Sequence, residues 1–112
     1  MRLALGALAA CMALWGWSAA AEIDKAKLGE ARSLVAEAVA VEQLSASGRI
    51  TQVYADGLRG DISKSLEKLK KEPAFAEVAE RALAALEHHD ATSLAAIRDH
   101  LVAQEKAHGR AD

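Results

Sequence analysis

Four residues of types that do acid–base or ligand chemistry gather when the sequence is wrapped into helices: Glu42, Tyr54, His89 and Arg98. At about 100° per residue, Glu42 falls inside an otherwise apolar arc. His89 projects to the apolar side at a helix end, and Arg98 lies beside Leu94 and Leu101. In an up-down-up-down bundle all four approach the same end. Two arrangements fit them. In one, the Arg and the His receive a small anion in a pocket. In the other, Glu42 and Arg98 form a structural ion pair capped by the Tyr54 hydroxyl. Charged groups near a core are normally paired, which favours the ion pair.

A second group belongs to the opposite end. Glu105 and His108 form a Glu-x-x-His step, so both side chains share one helix face. Di-metal carboxylate bundles use that step twice, with two further Glu. Here it occurs once, and His100 lies about 80° further round the helix. A closed structural metal site needs four ligands. A protonated His near a helix C-terminus also suits the macrodipole. The pair therefore reads as helix-end residues, with a metal site as the alternative.

The adjacent His88 and His89 point about 100° apart on a helix, so they cannot chelate one ion without unwinding. Lys68, Lys70 and Lys71 fall in the last turn of a helix, flanked by Glu67 and Glu72, and read as a solvated end. Only Arg98 projects inward clearly among the basic residues. Arg32 sits at the edge of its stripe, about 40° from Leu28. No Ser or Thr is placed with a His by spacing. No catalytic, cofactor-binding or metal residue is therefore assigned, and a small enzyme ranks third among the readings.

Two short motif matches carry nothing. Ser65-Leu66-Glu67-Lys68 matches a Ser-x-x-Lys nucleophile step, but its partner motifs Ser-Asp-Asn and Lys-Thr-Gly are absent. Arg59-Gly60-Asp61 matches an adhesion tripeptide, yet it falls within a predicted helix rather than a loop.

The elements that position these residues occupy only part of the 112-residue chain. Met1-Arg2 is a short positive start, Leu3 to Trp17 is apolar and uncharged, and Ser18-Ala19-Ala20-Ala21 supplies small residues. That order is a cleavable secretory signal over residues 1–21, with the cut after Ala21. The short signal and the Ala-rich composition point to the bacterial periplasm. The alternatives are an uncleaved anchor, since residues 3–21 are uncharged and just long enough to span a bilayer, and a lipid anchor through Cys11, after Leu8-Ala9-Ala10. Against the lipid anchor, the apolar run continues beyond Cys11.

Residues 22–112 form the expected mature domain, with no Cys, Met or Trp. Disulfides, Cys-ligated zinc and thiol catalysis are excluded from it. Removing the signal takes away one base, Arg2, and no acid, so the formal charge of -2 becomes one unit more negative. A mildly acidic domain argues against nucleic acid as a partner. No segment of the mature part approaches transmembrane length.

The mature part reads as helices joined by short connections. The first carries Leu28, Ala31, Leu34, Val35, Ala38, Val39 and Val41 on one face, with Asp24 as N-cap and Gly48 just past its end. Thr51 caps the second, whose stripe is Tyr54, Leu58, Ile62, Ser65, Leu66 and Leu69. Gly57 and Gly60 interrupt it, marking either close packing or a bend. Pro73 opens a third pattern through Phe75, Val78, Ala79, Ala82, Leu83 and Leu86. Asp90 caps the last, spined by Leu94, Ile97 and Leu101 and ended by Gly109.

The fold expected is all-α, a small antiparallel bundle of three or four helices. Its core is modest and rich in Ala, so dimerisation over a leftover apolar face is a further expectation. By elimination, the expected role is a non-enzymatic interaction or structural protein of the cell envelope, with an unidentified protein or envelope partner. The alternative is a small-molecule or metal-binding bundle using the Arg98/His89 end or the Glu105/His108 end.

Overall fold

Helix-ending and helix-starting residues divide the chain. The structure is a computed structural model that describes residues 25–111. Four helices run through them: α1 (Lys25–Ala46), α2 (Gln52–Lys70), α3 (Ala76–Glu87) and α4 (Ala91–Ala111), with a 3-10 turn at Pro73–Phe75. Every regular element among the described residues is helical. The signal, the cut after Ala21, Cys11 and the Asp24 cap lie outside the described residues.

The connections follow from local chemistry. Gly48 adopts φ +72°, a left-handed conformation that suits glycine. There the Arg49 N–H reaches the Leu44 carbonyl at 2.9 Å and the Gly48 N–H reaches that of Ser45 at 3.1 Å. This is a Schellman closure. Thr51 Oγ1 accepts the Tyr54 N–H at 3.2 Å, capping α2. Glu72 is extended ahead of Pro73, as the proline ring requires. Asp90 Oδ1 accepts the Ser93 N–H at 3.1 Å and Oδ2 accepts the Ser93 hydroxyl at 2.6 Å, capping α4.

Two expectations need correction. Gly109 does not end the last helix, which continues to Ala111. A glycine in a final turn weakens a helix, but ends it only where a positive φ is adopted. Gly57 and Gly60 neither interrupt α2 nor make a close approach. The helix is continuous, and a Cβ at either position would meet nothing within 4 Å. Neighbouring buried residues hold the helix against their roughly 1 kcal/mol cost.

α1 packs against α2 and α4, and α3 packs against the same two helices from the other side. Cross-connections at the start of α1 show that it runs antiparallel to both α2 and α4. Lys27 at the start of α1 meets Glu72 beyond α2, and Arg32 meets Glu105 near the end of α4. Leu28, Leu66, Leu94, Leu101, Val35 and Val39 are the largest fully buried side chains. Each leucine contributes about 2 kcal/mol of burial. Ala31, Ala38, Ala55, Ala79 and Ala82 are also fully buried and let the helices approach closely.

The buried face of α2 is rotated from the expected stripe. It comprises Ala55, Ile62, Leu66 and Leu69, whereas Leu58 and Ser65 are half-buried and Tyr54 is 59% exposed. The rotation turns Arg59, one helical turn after Ala55, towards α1.

Candidate functional site

Glu42 is the one charged residue among the described residues that is fully buried. It lies on the core side of α1 because it follows Leu28, Val35 and Val39 at helical spacing. Its cationic partner is Arg59 on α2. Arg59 Nε donates to Oε2 at 2.7 Å and Nη2 donates to Oε1 at 3.0 Å. The guanidinium is itself largely buried and donates further to Asp56 Oδ1 at 2.8 Å and Ser45 Oγ at 3.3 Å. Gln52 Nε2 joins the same Ser45 Oγ at 3.2 Å.

His89 completes the cluster from the turn between α3 and α4, its Nδ1 lying 3.3 Å from Glu42 Oε1. Its backbone is unusual, with φ +53° in a non-glycine residue. The closure repeats that at Gly48. The Asp90 N–H reaches the Ala85 carbonyl at 2.8 Å and the His89 N–H reaches that of Leu86 at 3.1 Å. A position that favours glycine therefore carries an imidazole, and that imidazole meets the buried carboxylate.

The electrostatics follow from these contacts. Burial alone would raise the Glu42 pKa. Hydrogen bonds and charges from Arg59 and His89 together outweigh it, so the carboxyl titrates below its ordinary value. The Glu42 hydrogen bonds in turn raise the Arg59 pKa. Both oxygens of the carboxylate and the whole fork of the guanidinium are occupied within the protein. Such a cluster ties α1, α2 and the α3–α4 turn together. The guanidinium is therefore committed to groups of the protein itself, and the imidazole, whose side chain is 58% exposed, also lies against Glu42.

The expected four-residue group is thus only half assembled. Glu42 and His89 come together. Arg98 does not join them, and bonds instead to the neighbouring Asp99 at 3.2 Å. Tyr54 is exposed and caps nothing. A stripe centred on Tyr54 and Leu58 places Arg59 off the buried face, so the sequence pattern does not single it out. The available signal was its spacing, four residues after Ala55 and seven before Leu66, both fully buried.

At the other end Glu105 is engaged by Arg32 Nε, and both side chains are partly exposed. The Glu105/His108 step therefore has a cation on its carboxylate. His88 is exposed. Among the described residues no three His, Cys, Asp or Glu side chains converge as metal ligands. His100 is half-buried on α4. Burial first, and the charge of Arg81 second, lower its pKa.

No described helix is long and apolar enough to cross a membrane. No protein-family model, curated protein or solved structure matches this chain.

Proposed function

We propose that this chain is an exported, non-enzymatic protein of the cell envelope that engages a protein partner through a helix face. One observation carries the interaction reading. The large apolar side chains exposed among the described residues are Leu44, Val53 and Tyr54, and all lie in the last turns of α1 or the first turn of α2. Apolar side chains left exposed at this one end of the α1–α2 hairpin offer a partner surface to bury. The buried charges support the same reading, because their donors and acceptors are spent on joining helices. The export part rests on the residue pattern of positions 1–21.

The test places a photo-crosslinking residue at Leu44, at Val53, or at the exposed Ala103 on α4, in cells making the chain from its own start. A discrete adduct from Leu44 and Val53 but not from Ala103 is the expected result. No adduct, or the same adducts from all three positions, overturns the interaction reading. Envelope protein with the mass of residues 22–112 is expected; full-length protein confined to the cytoplasm overturns export.

A further inference from the structure

Between α1 and α2 runs an open groove of about 430 Å³. We propose that it is a docking site for an amphipathic helix of another protein, one that presents leucine-sized side chains flanked by Lys or Arg. The inference rests on the interaction reading above and names the partner's chemistry.

The floor is apolar. Leu34, Val41 and Leu44 line it from α1, and Leu58 and Ile62 from α2. Leu34 and Leu58 are half-exposed and Leu44 is 37% exposed, so the floor is open to solvent. From Leu34 to Leu44 the α1 wall is about 15 Å long at 1.5 Å per residue, enough for roughly three turns of an occupant helix. Two parallel ridges of this kind form the receptor half of a helix-in-groove contact.

The rim sets the sign of the partner. The charged residues lining the groove are Glu37 from α1 and Asp61 from α2. Glu42, Asp56, Glu77 and Glu105 all have basic partners. Glu37 and Asp61 have no ion pair or hydrogen bond among the described residues, so both carboxylates are available to an incoming cation. A second copy docking face to face would set these acids against their own copies. An anionic lipid surface meets the same repulsion. A basic amphipathic helix satisfies both the floor and the rim.

The experiment uses two labelled helical peptides with identical leucine faces, one flanked by Lys and the other by Glu, titrated by fluorescence anisotropy into the purified full chain. The Lys peptide is expected to bind roughly tenfold tighter, the value of two partly exposed ion pairs. Glu37→Lys with Asp61→Lys should invert that preference. Leu44→Ser with Leu58→Ser should weaken both peptides. Glu37, Asp61 and Leu44 are exposed, whereas Leu58 is half-buried against the core, so circular dichroism checks that the variants fold. Equal binding of the two peptides, no binding, or a preference unchanged by the charge reversal overturns the proposal. So does a dimer in sedimentation that Leu58→Ser abolishes, or binding to phosphatidylglycerol vesicles that Leu44→Ser abolishes. If crosslinking from Leu44 persists while the peptides fail, the partner chemistry falls alone. If crosslinking fails as well, the interaction reading falls with it.

Discussion

Glu42 and Arg59 face each other across the α1–α2 hairpin and share two hydrogen bonds, at 2.7 and 3.0 Å, away from solvent. Seventeen residues separate them in sequence. A fork-to-fork pair of this kind is directional as well as strong. It is satisfied at one rotation of α2 about its own axis. Turned the other way, α2 would bury Tyr54 and leave a buried carboxylate without its cation.

Removing one partner should therefore be costly. Glu42→Gln takes the buried counter-charge from the guanidinium and Arg59→Gln takes the guanidinium from the carboxylate, and each should lose on the order of 2–4 kcal/mol. Replacing both with Leu removes the desolvation cost with the attraction and should lose much less. Urea unfolding at constant m reads the three values. An Arg59→Gln variant as stable as the parent would show that the pair holds nothing.

The same pair sets an acid limb. The folded pKa of Glu42 lies below its ordinary value of 4.5, so the stability it contributes is fully present above that value. It is lost as pH falls through the lower folded value. The stability gap between the parent and Glu42→Gln should close as the pH drops below 4.5. His100 acts at higher pH. Its folded pKa lies below 6.5, so the fold loses stability as pH falls from 6.5 through the folded value, and His100→Gln should flatten that step. Unfolding curves at a series of pH values separate the two.

His89 holds a conformation that costs a non-glycine residue about 1–2 kcal/mol. His89→Ala keeps that cost and loses the contact with Glu42, so it should destabilise. His89→Gly loses the contact and relieves the backbone, and should be more stable than His89→Ala by about 1 kcal/mol. Thermal melts of the two variants side by side check the order.

The glycines of α2 should behave oppositely to Gly48. A Cβ at Gly57 or Gly60 meets open space on a continuous helix, so each change to Ala should stabilise by about 1 kcal/mol. Gly48→Ala places a side chain at φ +72° and should destabilise. Denaturation midpoints of the three single variants give the signs directly.

Arg32 and Glu105 offer a built-in comparison. Their side chains are 39% and 33% exposed, against 11% and 3% for Arg59 and Glu42. Glu105→Gln should cost less than about 1 kcal/mol and the loss should shrink with added salt. A loss as large as that of Glu42→Gln would contradict this ordering.

The sequence by itself determined what depends on neighbours a few residues away. Helix boundaries at Gly48, Thr51, Pro73 and Asp90 follow from a positive φ, a hydroxyl cap, a ring that fixes φ and a carboxylate cap. The buried face of α1 and the burial of Glu42 follow from helical spacing alone, because one broad apolar stripe leaves no second way to turn that helix. Tertiary structure decided the rest. Leu58 and Arg59 differ by one step on the helix, and local propensity does not choose between them. The burial of the small Ala55 and the demand of a buried carboxylate for a cation turned Arg59 inward and Tyr54 outward. The turn between α3 and α4 brings the His89 imidazole to Glu42, and Arg98 bonds to its neighbour Asp99 instead.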